Sequence, residues 1–169
     1  MPILYVSHAV EDVARLADQV ILLRAGKIAA SGPAAMVLSE DGFFGTLLET
    51  TVRERRPDGL TSLDFEGGTL TIAAAAEPGA RLRVRIAPED ILISREPPGP
   101  ISANNVMAAK LVSVVASGAV ATVHLAVGPS RLVARITTAS AARLALAPDM
   151  TVYAIVKSVA VDRSRDGAA

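Results

Sequence analysis

No cysteine occurs among the 169 residues, which excludes a disulfide framework, a thiolate nucleophile and a thiolate metal site. Tryptophan is also absent and aromatic residues make up only 3% of the chain, so any core has to be built from Val, Ile, Leu and Ala. Charge of either sign is not in excess: 17 basic residues meet 17 acidic ones. Nothing global therefore draws the chain to nucleic acid or to an anionic membrane. Two histidines far apart in sequence make a poor zinc set. No apolar run approaches the ~20 residues of a membrane span, and the short run Pro2 to Val6 follows no basic region, unlike a signal peptide. The expectation is a soluble, cytoplasmic protein. Its length allows one ordinary domain or two small ones.

What is present divides by pattern. Ile3-Leu4-Tyr5-Val6 and Val20-Ile21-Leu22-Leu23 are continuous apolar runs, which predict strands buried on both faces. Between them, Val10, Val13, Ala14 and Ala17 recur at helical spacing behind Glu11-Asp12. Arg24-Ala25-Gly26-Lys27 predicts a turn into Ile28-Ala29-Ala30. Helical material is expected over Ala34 to Ser39 and Phe43 to Glu49. Residues 50 to 59 are charged and without apolar periodicity, so they read as a linker between a first unit, 1 to 49, and a second, 60 to 162.

The second unit has the punctuation of an all-β domain. Thr61 to Phe65 and Thr69 to Ala73 flank Gly67-Gly68 as a hairpin. Arg81 to Ile86 alternates basic and apolar residues, the mark of a half-exposed strand rather than a nucleic-acid patch. After Ile91-Leu92-Ile93 and a Pro-rich connector at 97 to 100, strands are expected over Val106 to Ala116, Val120 to Val127, Arg131 to Ile136 and Val152 to Asp162. A short helix, Thr138 to Leu146, falls between the last two, with Thr137 or Thr138 as its cap. Short strands closing on themselves around one helix predict a small barrel of the OB type. Residues 163 to 169 read as a disordered tail.

Two stretches carry chemistry. Ile3 to His8, with Glu11-Asp12 and the run Ala17 to Ile28, resembles the end of the nucleotide-binding domain of ABC transporter ATPases. The resemblance implies that His8 is the switch histidine facing the terminal phosphate of ATP. No G-x-x-x-x-G-K-[ST] segment, acidic strand end for magnesium or Leu-Ser-Gly-Gly occurs in the sequence. His8 is thus an orphan, and the chain alone is expected neither to bind ATP tightly nor to hydrolyse it.

The second stretch offers hydroxyl and amide donors at three places: Ser102-Ala103-Asn104-Asn105, Thr137-x-x-Ser140, and Lys157-Ser158. Each is ordinary taken singly. In this order they resemble the Mop/TOBE molybdate-binding domain of molybdate-importer ATPases, with Asn104 standing where that family commonly has arginine. The resemblance implies an oxyanion site made by Ser102, Ala103, Asn104, Asn105, Thr137, Ser140, Lys157 and Ser158. Hydroxyls, amides and one ammonium suit a compact tetrahedral dianion, molybdate or tungstate, better than a polyphosphate.

The sequence therefore predicts a mainly β chain: an OB-like Mop/TOBE barrel with one short helix, behind an incomplete α/β fragment of a P-loop ABC ATPase. The implied function is the regulatory, oxyanion-binding part of a molybdate or tungstate importer's ATP-binding subunit. ATP and magnesium would act only in the intact parent. Family sites lie between subunits, so a homodimer or higher homo-oligomer through the barrel is implied. A membrane permease would be the parent's partner, with the subunit peripheral on the inner face of the cell membrane; nucleic acid is not a partner. The alternatives are a stand-alone molybdate-binding or storage protein, and a dimerisation domain from an importer of another solute. Hydroxyls at Thr137 and Ser140 together with Lys157-Ser158 favour the first reading.

Overall fold

The computed structural model describes residues 3–7, 12–13, 16–24, 26–34, 37, 45–158 and 161–165. Strands β1 (Gln19–Arg24) and β2 (Lys27–Pro33) form an antiparallel hairpin by themselves. Gly26, at φ +74°, supplies the left-handed backbone its turn needs. This hairpin and the preceding run depart from expectation. Residues 3–6 pair with no strand among the described residues, and Leu4 and Val6 are 90% and 88% exposed. Ile21, Leu23 and Ile28 are also exposed. A strand rich in apolar residues is buried only where another layer covers it, and no described element covers these.

From residue 45 onward the described residues are mainly β, with Thr138–Arg143 (α1) as the one α-helix among them. Among the described residues ten strands follow the hairpin: β3 (Thr46–Arg55), β4 (Thr61–Phe65), β5 (Gly68–Ile72), β6 (Arg81–Ile86), β7 (Ile91–Ser94), β8 (Asn105–Ser117), β9 (Val120–Val127), β10 (Ser130–Thr137), β11 (Thr151–Val156) and β12 (Val161–Arg165). Expected bounds for β4, β6 and β9 hold to the residue. Three others are corrected. The segment from Thr46 to Arg55 is neither helix nor linker but a ten-residue strand pairing with β4 and β6. The single strand expected over 152 to 162 is two, separated at Lys157-Ser158. Arg163 to Arg165 is not tail but the end of β12, paired with β6.

These strands form two five-stranded antiparallel sheets, in the orders β12-β6-β3-β4-β5 and β7-β11-β8-β9-β10. The two orders are the same arrangement used twice. Strands β3 to β6 correspond one for one to β8 to β11, and each half sends its last strand into the other half's sheet. The register repeats as well: Thr46 opposes Ile86 as Asn105 opposes Val156, and Gly68 opposes Phe65 as Ser130 opposes Val127. Both halves feed one apolar core, in which Leu63, Leu70, Ile72, Val84 and Leu82 meet Leu111, Val123, Leu125, Leu132 and Val152. Burying each such side chain is worth about 1.5–3 kcal/mol. The alternation in β6 works as expected, with Leu82, Val84 and Ile86 buried while Arg83 reaches Glu49 at 2.9 Å.

Two matched polar contacts tie each half to the other. Thr46, buried at the start of β3, accepts a hydrogen bond from the Val133 N–H at 3.0 Å. Asn105, buried at the start of β8, accepts from the Thr71 N–H at 2.6 Å and donates to the Thr71 carbonyl at 2.9 Å. Val133 and Thr71 each stand three residues into the corresponding strand, β10 and β5. The two hairpin turns also touch: a Cβ on Gly67 would overlap the Val127 carbonyl oxygen, and Gly128 packs against Gly67. Because the obstacle is backbone, Gly67→Ala is expected to cost ~2–4 kcal/mol, read from urea denaturation. A loss below 0.5 kcal/mol, within the usual surface range, would mean the two turns separate freely.

Candidate oxyanion site

Hydroxyl, amide and ammonium groups gather at two places. The first lies where β8 begins and β11 ends. Asn105 pairs with Val156, so the residues before Asn105 and after Val156 run side by side. Asn104 Nδ2 donates to Ser158 Oγ at 3.0 Å. Since that oxygen accepts from the amide, the serine proton is left to donate elsewhere. Ser158 itself is buried, whereas Ser102, Asn104 and Lys157 are exposed and Ala103 is half-buried. Lys157 enters no ion pair among the described residues, so its ammonium is available to an anion. Asn105 faces inward instead: its amide is engaged at both ends by Thr71. Its place beside Asn104 in the sequence motif thus serves the joint between the halves.

The second place lies where β10 meets α1. Thr137 caps the helix, its Oγ1 accepting from the Ser140 N–H at 3.1 Å and donating to Ser140 Oγ at 2.9 Å. Here too the Ser140 hydroxyl accepts from its neighbour and keeps its proton for a further acceptor. Thr138 fixes the segment to the β8–β9 turn through Thr138 Oγ1 to the Gly118 carbonyl and Thr138 N–H to the Ala119 carbonyl, each 2.9 Å. Next to this cluster Arg135 makes a 2.5 Å ion pair with Glu89. Sequence reading passed over Glu89, because it belongs to the other half.

The two places do not meet within one chain. Asn105 and Ser117 are the two ends of β8, a strand of 13 residues, which spans roughly 40 Å when straight. One place lies at its start and the other at its end. Nor does the first half supply copies of either. Where the second half has Asn104, Thr137, Lys157 and Ser158, the corresponding positions are Gly45, Ala75, Ala87 and Pro88. These bring no hydroxyl, side-chain amide or ammonium.

His8 lies outside the described residues. Among the described residues no group of three His, Cys, Asp or Glu side chains could hold a metal ion, and no helix is long and apolar enough to cross a membrane.

Residues 101–162 match the TOBE domain. Over 96% of its length the chain is 38% identical to the molybdenum import ATP-binding protein ModC of Paramagnetospirillum magneticum, covering 48% of that protein. It is 40% identical, over 95% of its length, to the ModC of Thiobacillus denitrificans, again covering 48%. The chain thus spans about half the length of the relatives it matches. Its fold is similar to ModG, a cytoplasmic molybdate-binding protein solved with molybdate bound: TM-score 0.64, 16% identity, covering 71% of this chain and 95% of ModG.

Proposed function

We propose that the chain carries a TOBE/Mop-type domain of a ModC-like ATP-binding subunit, a reading supported by its similarity to both, and that it binds molybdate or tungstate between two copies of itself. One copy contributes Thr137 and Ser140; the other contributes Ser102, Ala103, Asn104, Lys157 and Ser158. The observation carrying this reading is that both clusters hold a hydroxyl whose oxygen already accepts a hydrogen bond, at opposite ends of β8. Each oxygen keeps its own proton for a further acceptor, and neither cluster alone surrounds a guest.

A tetrahedral dianion needs donors on several sides, and two incomplete cups joined across an interface supply them. Charge-assisted hydrogen bonds from Lys157 are about twice as strong as neutral ones, so the ammonium sets affinity while the hydroxyls set geometry. Asn104 keeps Ser158 oriented without adding charge. In the intact subunit, oxyanion bound here would modulate an ATP-driven importer at the inner face of the membrane, working with a permease. His8 would then serve the nucleotide site of the parent protein, and the exposed apolar face of the β1–β2 hairpin would pack against the rest of that domain.

Calorimetric titration of the chain with molybdate, tungstate, sulfate and phosphate tests the reading, together with sedimentation to fix the oligomer. The expected outcome is binding of the first two only, by a dimer or larger assembly. Full-affinity molybdate binding by a monomer would defeat the shared site, and silence with all four anions would end the proposal.

A further inference from the structure

We infer that Arg143 is the second cation of the oxyanion site, an assignment that rests on the shared site proposed above. Ser140 and Arg143 are three residues apart on α1 and so share one face of the helix. Helical side chains lean toward the helix start, and Arg143 follows that rule. Its Nη2 reaches Ser140 Oγ at 3.5 Å, the outer limit of a hydrogen bond. The Ser140 oxygen therefore faces two donors, Thr137 Oγ1 and Arg143, and the guanidinium lies beside the hydroxyl that would meet the guest.

The other guanidinium nearby is committed elsewhere, since Arg135 is paired with Glu89. Arg143 is exposed and enters no ion pair among the described residues. Charge balance gives the pairing its sense. A doubly charged guest meets one ammonium, Lys157, from the copy that also brings Ser158; Asn104 beside it is neutral. The copy bringing Thr137 and Ser140 brings Arg143 with them, so guest and site become balanced. A planar guanidinium also presents two parallel N–H donors to adjacent oxygens. A purely structural role, as a cation near the last turn of α1, predicts an effect on stability and none on affinity.

The test is titration of the full chain with molybdate, comparing wild type with Arg143→Ala, Arg143→Lys and Lys157→Ala, each checked by thermal unfolding. The expected result is roughly tenfold weaker binding for Arg143→Ala, partial recovery in Arg143→Lys and an unchanged unfolding temperature. Wild-type affinity in Arg143→Ala alongside a weakened Lys157→Ala overturns this assignment and leaves the shared site standing. A wild-type chain that binds no molybdate overturns both.

Discussion

Replacing Lys157 with alanine is expected to weaken molybdate binding by roughly 10- to 100-fold, while leaving the unfolding temperature where it was. Lys157 is exposed just after β11, so its removal opens no cavity and strands no buried partner. What is lost is the ammonium of the first cluster. The remaining donors there, Ser102, Asn104 and Ser158, are neutral, and neutral hydrogen bonds exchange with water at a net gain of only about 0.5–1.5 kcal/mol each. They cannot offset the cost of drying a dianion. Lys157→Arg is expected to fall between, because it keeps the charge but changes a compact ammonium into a broad fork. Calorimetry on the three proteins reads the order directly. An affinity that does not move in Lys157→Ala removes this residue from the site.

Asn105→Ala should do the opposite, destabilising the fold by ~2–4 kcal/mol with its first effect on stability rather than binding. The side chain is 4% exposed and makes two hydrogen bonds to the backbone of Thr71 in the other half. Its loss leaves a donor and an acceptor of β5 without partners, and an unmade hydrogen bond in a buried place costs more than a made one gains. The matched contact, Thr46 to the Val133 N–H, involves one hydrogen bond. Thr46→Ala is accordingly expected to cost about half as much. Urea denaturation of both variants measures the pair. If Asn105→Ala kept wild-type stability and lost molybdate, the residue would be a ligand and not a joint.

How far the sequence could be read depends on where the pattern was apolar. Strand β9 alternates Val120 to Val127 with every second side chain inward, and such a period is legible without coordinates. Strand β3 has the same period, yet two of its inward positions are Thr46 and Thr50. Both are buried, and Thr50 donates to the Leu82 carbonyl at 2.8 Å. Counting apolar residues missed them, and with them the start of the second unit, because a threonine satisfied by backbone reads as polar in sequence and behaves as core in the fold. The run Val20 to Leu23 misled in the other direction: it is a strand, but one that no described element covers.

The chemistry of the proposed site was present in the residue types: hydroxyls, amides and a lysine in a fixed order. The internal duplication was not, since Asn104, Thr137, Lys157 and Ser158 face Gly45, Ala75, Ala87 and Pro88 at the matching positions, and little identity survives between the halves. The amino-acid order alone determined which face of the regularly alternating strands β6 and β9 turns inward and which donors exist, because those follow from side-chain period and residue type. Only the tertiary structure decided that β7 and β12 cross into each other's sheets and that the two donor clusters end up at opposite ends of β8. Backbone N–H and C=O groups are the same at every residue, so the choice of partner strand is made by how the whole core closes.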